Sequence, residues 1–192
     1  KTNVALMAVW GCVRDGTVIY VDTEGSFSVE RFFQIGGTER DLKNIVFVEV
    51  HTWEEQHRKI KALPATVEKA RDLRLIVVDS IVALYRLALS DENFHAVNRQ
   101  LATQYSVLSR IARERDVPVL VTNQVYGDAG GVELTSRSIG KYWCKALIEL
   151  RRGDRDHQRT AILRKHRSLP EGKKIDFEIT QNGMRETRFG LF

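Results

Sequence analysis

Residues 74–80 read RLIVVDS, four consecutive apolar residues followed by an aspartate and a serine. Such a run predicts a strand that is buried on both faces, as at the centre of a parallel sheet. Asp79 ends this strand in the Walker B arrangement, in which a carboxylate helps to hold Mg²⁺ on a nucleotide. An aspartate that caps the following turn, assisted by Ser80, would account for the same residues without any ligand.

Similar strands flank this one along the chain. TVIYVD (17–22), NIVFVEV (44–50) and VPVLVTNQ (117–124) are short and apolar, and helical patterns separate them. This alternation predicts right-handed βαβ units and an α/β fold with a mostly parallel central sheet and helices on both faces. Within the helical segment 52–72, Pro64 is expected to kink or divide the helix.

The pattern changes after Gln124. The segment VYGDAGGVELTSRSIGKYW (125–143) is polar and rich in glycine and serine, which predicts a mobile loop. Three strand-like runs follow, KALIELRR (145–152), TAILRKH (160–166) and KIDFEIT (174–180), and turn residues separate them. They predict a C-terminal antiparallel extension of the same sheet. Residues 1–192 are therefore expected to form one domain.

Polar side chains stand where three of the strands end: Glu24, Asp79 and Gln124. The carboxyl ends of parallel strands share one edge of a sheet, so these side chains are expected to converge on one ligand site. A glutamate there can polarise the water that attacks a γ-phosphate. The Gln124 amide both donates and accepts, which suits a γ-phosphate sensor. Without a ligand, Glu24 would simply belong to a turn at residues 22–25, and Gln124 would make an ordinary hydrogen bond to backbone at the end of its strand.

The chain opens KTNVALMAVWG, a Lys-Thr pair that leads directly into a helical pattern. This matches the second half of the phosphate-binding motif G-x-x-x-x-G-K-[ST]. Lys1 and Thr2 would then belong to that loop. The first strand of the sheet and the glycine-rich loop are expected to lie upstream of Lys1, because a central strand leaves unpaired backbone groups on its neighbours if it is removed.

Composition limits the class of protein. The net charge of +5 and the pI near 9.3 are compatible with a nucleic-acid partner, although a solvated basic surface explains them equally well. Two cysteines are too few for a disulfide framework. No apolar run approaches the ~20 residues of a membrane helix, so a cytoplasmic location is expected.

The run RSIGKYWCK (137–145) combines positive charge with aromatic residues, a mixture that binds single-stranded nucleic acid. Arg137 and Lys141 are the candidates for DNA contact. Trp143 and Cys144 are expected instead to start the next strand and to pack in the core.

At VIYVDTEGSFSVERF (18–32), LIVVDSIVALYR (75–86), VPVLVTNQV (117–125) and LPEG (169–172), the chain resembles the RecA-family recombinase core of archaea. The resemblance covers essentially the whole chain. It implies a RecA-like P-loop NTPase core with ATP and Mg²⁺ as cofactors. It also implies a weak, DNA-dependent ATPase that acts in homologous recombination and DNA repair.

The resemblance assigns roles by position. Lys1 would contact the β and γ phosphates, Thr2 would hold Mg²⁺, and Asp79 would assist the metal through water. Glu24 would orient the attacking water, and Gln124 would couple the γ-phosphate to a DNA loop at about 125–141. Arg31 would stack on adenine, unless it is an ordinary exposed helix arginine.

One position departs from the family pattern. Where relatives carry an aspartate near a monovalent cation and the neighbouring subunit's nucleotide, this chain has Lys165. The lysine would supply the positive charge itself, which predicts ATP hydrolysis that is indifferent to potassium. The alternative is a lysine that points to water.

In the short segment after Gln124 and in YWCKALIEL (142–150), the chain resembles the archaeal paralogues that lack an N-terminal helix-hairpin-helix domain, and this resemblance implies a recombination mediator. The implied partners are single-stranded DNA, with double-stranded DNA left open, and a RadA-type recombinase. A nucleoid-associated protein is expected, and homo-oligomerisation stays open. The alternatives are a RadA-type strand-exchange recombinase, a KaiC-like ATPase of another pathway, and a non-enzymatic module that keeps ATP as a structural ligand.

Overall fold

A computed structural model of the chain describes residues 1–128 and 131–187. Its first sheet has four parallel strands in the order β2-β1-β3-β4. These strands are β1 (Thr17–Asp22), β2 (Ile45–Glu49), β3 (Leu73–Asp79) and β4 (Val119–Val121). The helices before and between them are α1 (Thr2–Cys12), α2 (Val29–Gln34), α3 (Glu39–Leu42), α4 (Trp53–Lys69), α5 (Ala83–Ala88) and α6 (Phe94–Glu114).

The core lies on both faces of this parallel sheet. Along β1, Val18 and Tyr20 pack into a cluster with α1 and α2, while Ile19 and Val21 pack into a second cluster with α4 and α6. The continuous apolar runs of β1 and β3 are explained by this arrangement, because every residue along a two-sided strand meets a helix. The prediction of an α/β fold with helices on both faces is confirmed.

A second sheet is antiparallel and follows the order β10-β9-β8-β7. Its strands are β7 (Leu147–Arg152), β8 (Gln158–Lys165), β9 (Lys174–Thr180) and β10 (Gly183–Glu186). The antiparallel C-terminal part is confirmed, and β10 adds a strand that the pattern did not predict. In the described residues these strands form a sheet of their own, since no ladder joins them to the parallel sheet.

The segment after Gln124 is more structured than the predicted loop. It contains an antiparallel hairpin of β5 (Val125–Asp128) and β6 (Gly131–Leu134), followed by α7 (Arg137–Trp143). The predicted mobile loop thus contains regular elements that its composition did not indicate, and its mobility stays a prediction. Hairpin ladders and the packing of α7 against α6 depend on contacts that a composition rich in glycine and serine does not reveal.

Two further details differ from expectation. Pro64 lies inside α4, which runs unbroken as one helix, because buried residues on both sides of it, Ile60 and Val67, pack into the same cluster. Strand β2 is an edge strand rather than a buried one, and its Val46 and Phe47 are exposed. In the part of the chain that the structure describes, no helix is long and apolar enough to cross a membrane.

Candidate functional site

The loop after β1 is shaped by the Asp22 carboxylate, which is buried. Its Oδ1 accepts the backbone N–H groups of Glu24 and Ser26, both at 3.1 Å, and its Oδ2 accepts that of Phe27, also at 3.1 Å. Gly25 occupies a positive φ of 63° within this turn, a region where glycine is favoured. Asp22 therefore folds the chain back over the end of β1 and directs Glu24 to the sheet edge.

Asp79 lies at the end of β3 and is only 2% exposed. Its Oδ2 accepts the Tyr20 hydroxyl at 3.0 Å and the Ser26 hydroxyl at 3.2 Å, and its Oδ1 accepts the Thr122 hydroxyl. Burial and the neighbouring Asp79 charge raise the pKa of Tyr20 well above its usual range, so this phenol stays protonated as a donor. Three hydroxyls thus compensate the buried carboxylate.

Glu24 and Gln124 are in direct contact. The Gln124 Nε2 donates to Glu24 Oε1 at 3.1 Å, and the Ser80 hydroxyl donates to the same oxygen at 2.6 Å. Arg86 of α5 donates to Gln124 Oε1, so both halves of the amide are engaged. The Thr23 hydroxyl links the residues that follow β1 and β3. It accepts from Ser80 N at 2.9 Å and donates to Ser80 O at 2.7 Å.

The first turn of α1 has the features of an anion site. Lys1 occupies the N-cap position, no side chain caps the helix, and the first turn carries no acidic residue. The carboxylates of Asp79 and Glu24 lie within electrostatic reach of the Lys1 backbone nitrogen. Uncapped N–H groups and the helix dipole favour a phosphate at this position.

The oxygen ligands that the protein offers here fit a Mg²⁺ ion that is held mainly by phosphate oxygens. The ion prefers oxygen ligands and keeps several waters. Thr2 begins α1 with a hydroxyl, and Asp79 offers a carboxylate that already accepts three hydroxyls. Among the described residues, no group of three or more His, Cys, Asp or Glu side chains could hold a metal by itself.

Arg31 of α2 is engaged by acceptors on three elements. Its Nε donates to Asn3 Oδ1 of α1 at 2.8 Å, and its Nη1 donates to Gln34 Oε1 at 3.0 Å. The remaining bonds reach backbone carbonyls of the β9–β10 turn, at 2.7 Å for Gln181, 2.8 Å for Thr180 and 3.2 Å for Gly183. A guanidinium has five N–H donors, so its polar edge is fully used and only its faces remain for stacking.

The residues predicted for DNA and for a neighbouring subunit lie elsewhere. Lys141 is exposed on α7, while the side chain of Arg137 lies outside the described part of the structure. The Nζ of Lys165 donates to the Lys141 carbonyl at 2.6 Å, a bond that lies on the surface of the protein. Trp143 and Cys144 pack against the core cluster as expected, but they end α7 instead of starting the next strand, which begins at Leu147.

The structure thus brings Glu24, Asp79 and Gln124 to one edge of the parallel sheet, with Lys1 beside them. Several supporting residues escaped the sequence analysis. The sequence does indicate a turn at residues 22–25, but it does not show that the Asp22 carboxylate holds this turn through three backbone N–H groups. No local pattern marks Arg86 or Thr122, because each meets its partner from a different element.

Comparison with known proteins places this site in context. A family model described as Rad51 matches residues 7–187. The chain is 38% identical over 190 residues to the DNA repair and recombination protein RadB of Methanococcus maripaludis, covering 96% of this chain and 85% of the relative. It is 36% identical over 193 residues to the RadB protein of Methanobrevibacter smithii, covering 96% and 82%.

A solved structure agrees with these relatives. A crystal structure described as the RadB recombinase matches with a TM-score of 0.82 and 34% sequence identity, covering 98% of this chain and 86% of the other.

Proposed function

The chain belongs to the Rad51 family, and from this membership we propose that it is an ATP-dependent, DNA-binding protein of homologous recombination and DNA repair with a RadB-like role. The observation that carries the proposal is the contact of Glu24 with Gln124 beside the buried Asp79 and the uncapped start of α1. A carboxylate, an amide and an anion-binding helix end at one sheet edge suit a nucleoside triphosphate.

Glu24 is the proposed water-orienting carboxylate. Ser80 and Gln124 both donate to its Oε1, which holds the side chain in place and leaves Oε2 to accept from a water. Lys1 and the first turn of α1 would bind the phosphates. Mg²⁺, held by Thr2 and through water by Asp79, would offset phosphate charge when bound.

Gln124 is the proposed sensor of the nucleotide. Its Nε2 donates to Glu24 and its Oε1 accepts from Arg86, so a γ-phosphate, which only accepts hydrogen bonds, would compete with Glu24 for the Nε2 donor. Arg31 would contact adenine through the face of its guanidinium, since its N–H groups are already engaged.

DNA contacts are proposed for α7 and the hairpin before it. Lys141 is exposed and Tyr142 is 77% exposed, and α7 also carries Arg137. A lysine beside an exposed aromatic ring can bind a phosphate while a base stacks on the ring. Single-stranded DNA is the first expected ligand. A RadA-type recombinase is the proposed protein partner, and the cytoplasm, in association with the nucleoid, is the proposed location.

The test is the DNA affinity of wild type and Lys1→Ala, with and without a non-hydrolysable ATP analogue. We expect the analogue to strengthen DNA binding by wild type and to have no effect on Lys1→Ala. Lys69→Ala, at the exposed end of α4, is the matched control and should behave like wild type. The proposal would be contradicted if wild type and Lys1→Ala had the same DNA affinity and the analogue changed neither of them.

A strand-exchange recombinase is the second candidate, because the similar solved structure is described as a recombinase. Filaments on single-stranded DNA and efficient strand exchange without a RadA-type protein would favour it. Stimulation of a RadA-type protein, without exchange by this chain alone, would favour the mediator.

A further inference from the structure

Two contacts join the end of β4 to the start of α7. Asn123 precedes Gln124, and its Nδ2 donates to Ser136 Oγ at 2.6 Å and to Tyr105 Oη at 3.4 Å. The backbone N–H of Thr135 donates to the Gln124 carbonyl at 2.9 Å. Residues on both sides of the 125–134 hairpin are therefore tied together next to the candidate nucleotide site.

Ser136 is unusual as a helix-capping residue. It occupies the N-cap position of α7 and is 1% exposed, yet its hydroxyl makes no capping bond. A serine at this position normally accepts an N–H from the first turn of the helix. Here the hydroxyl accepts from Asn123 instead, so the start of α7 is bound to the segment that follows β4 rather than capped.

Gly140 allows this contact to form. A Cβ at this position would lie 2.2 Å from Ser136 Oγ and 3.1 Å from Tyr105 Oη. The Asn123 Oδ1 is buried and has no hydrogen-bond partner among the described residues. Both partners of Asn123 are hydroxyls, which donate as well as accept, so either orientation of the Asn123 amide keeps its contact with Ser136.

We propose that Asn123, Ser136 and Gly140 form a latch that transmits the state of Gln124 to α7 and thereby sets the affinity of Lys141 for DNA. The three are positioning residues, and the inference rests on the proposed function. A γ-phosphate that draws on the Gln124 amide shifts the adjacent Asn123. That shift reaches Ser136 directly and Thr135 through the Gln124 carbonyl. Because α7 has only seven residues, its start and Lys141 move together.

The first test is the ratio of DNA dissociation constants measured without and with a non-hydrolysable ATP analogue. Coupling between sites typically amounts to about 5–150-fold. We expect Ser136→Ala to reduce the wild-type ratio at least about fivefold, while its affinity for the analogue stays within about twofold. Ser138→Ala is the matched control, because Ser138 is exposed on the same helix, and its ratio should equal that of wild type.

A second pair of variants tests the geometry through stability. Gly140→Ala should lower the melting temperature, because its Cβ meets the Ser136 hydroxyl. The double variant Ser136→Ala/Gly140→Ala should recover part of that loss, since the nearest clashing atom is gone. A Gly140→Ala protein as stable as wild type would overturn the close approach on which the latch depends.

The outcomes separate the two proposals. A wild type that binds neither the analogue nor DNA refutes the proposed function and the latch together. A coupled wild type with an equally coupled Ser136→Ala refutes the latch alone. A Ser136→Ala protein whose DNA affinity falls by the same factor with and without the analogue also refutes it, because Ser136 would then only support the fold of α7.

Discussion

The two four-stranded sheets of this protein differ in how they are covered. In the parallel sheet, β1 and β3 are buried along nearly their whole length. In the antiparallel sheet the strands are half-exposed, with Ile148 at 59% and Ile175 at 49% exposure. The candidate nucleotide site lies at an edge of the buried sheet, where hydroxyl and amide donors surround the carboxylates.

The difference places the candidate site on the sheet whose carboxylates are the more deeply buried. Asp79 keeps its place through three hydroxyl donors in a buried setting, where hydrogen bonds are strong and directional. The β9–β10 turn of the antiparallel sheet accepts hydrogen bonds from Arg31 of α2, and Lys165 of β8 donates to α7. Substitutions in the two sheets should therefore have unequal effects.

The largest contrast is expected in the cores of the sheets. Ile76 of β3 is fully buried, so Ile76→Ala should lower the free energy of unfolding by about 2–5 kcal/mol, including the cost of the cavity. Ile148→Ala in β7 should cost less than about 1 kcal/mol, because that side chain is already largely in water. Urea unfolding measures both. Equal losses would mean that the side chains of the antiparallel sheet are buried as completely as those of the parallel sheet.

The next contrast concerns catalysis. Glu24→Gln should reduce ATP hydrolysis by about 100-fold or more, because an amide cannot take up the proton of the attacking water. Its nucleotide affinity should stay near that of wild type, since the amide oxygen still accepts from Ser80. Glu178→Gln in β9 is the control and should hydrolyse ATP at the wild-type rate. An unchanged rate in Glu24→Gln would favour a protein that keeps ATP only as a structural ligand.

Substitution of Arg31 tests the contact between α2 and the β9–β10 turn of the antiparallel sheet. Arg31→Ala removes five hydrogen bonds and should lower the free energy of unfolding by about 2 kcal/mol, discounted for its partial exposure. It should also weaken binding of the ATP analogue by about tenfold, the equivalent of one lost stacking contact. Chemical unfolding and fluorescence titration measure the two effects. Arg40→Ala, exposed on α3, should change neither, and an Arg31→Ala protein that matched it would refute the connection.

A smaller effect is expected at α7. Lys141→Ala should weaken single-stranded DNA binding a few-fold and reduce the slope of log affinity against log salt by about 0.7, one phosphate contact. Fluorescence anisotropy at several salt concentrations measures the slope. With Lys69→Ala as the control, a slope equal to wild type in both variants would exclude Lys141 from the phosphate contacts.

The smallest effect is expected within the antiparallel sheet. Burial raises the pKa of Glu149, but hydrogen bonds from Arg151 and Arg164 outweigh it and leave the pKa below its ordinary value of 4.5. A lowered folded pKa stabilises the protein above the unfolded pKa, and this contribution disappears as the pH falls through the folded value. Glu149→Gln should therefore be less stable than wild type by under about 1 kcal/mol at pH 7, because both arginines are largely exposed.

Thermal unfolding of Glu149→Gln and wild type at neutral and acid pH measures this difference. The two proteins should converge as the pH falls through the folded pKa of Glu149, which lies below 4.5, because the carboxyl is then protonated in both states. A difference that grows on acidification would contradict the assigned direction of the pKa shift.

Sequence patterns succeeded where a structure depends on neighbours along the chain. The helix of residues 2–12 and the strands of residues 17–22 and 73–79 were predictable, because periodicity and β-branched runs report local burial. The same reasoning misjudged β2, since an apolar run does not distinguish an edge strand from a central one, and Val46 and Phe47 are exposed. It also missed α7 and the β5–β6 hairpin, whose stability comes from pairing and packing rather than from propensity.

The sequence by itself determined the class of fold and the residue types at the strand ends, Glu24, Asp79 and Gln124. Only the tertiary structure decided that Glu24 meets Gln124 across 100 residues, that Ser26 and Tyr20 compensate Asp79, and that Ser136 binds Asn123 instead of capping its helix. The physical reason is that strand and helix patterns follow local burial. Hydrogen-bond partners of buried polar groups are selected only when distant segments pack and exclude water.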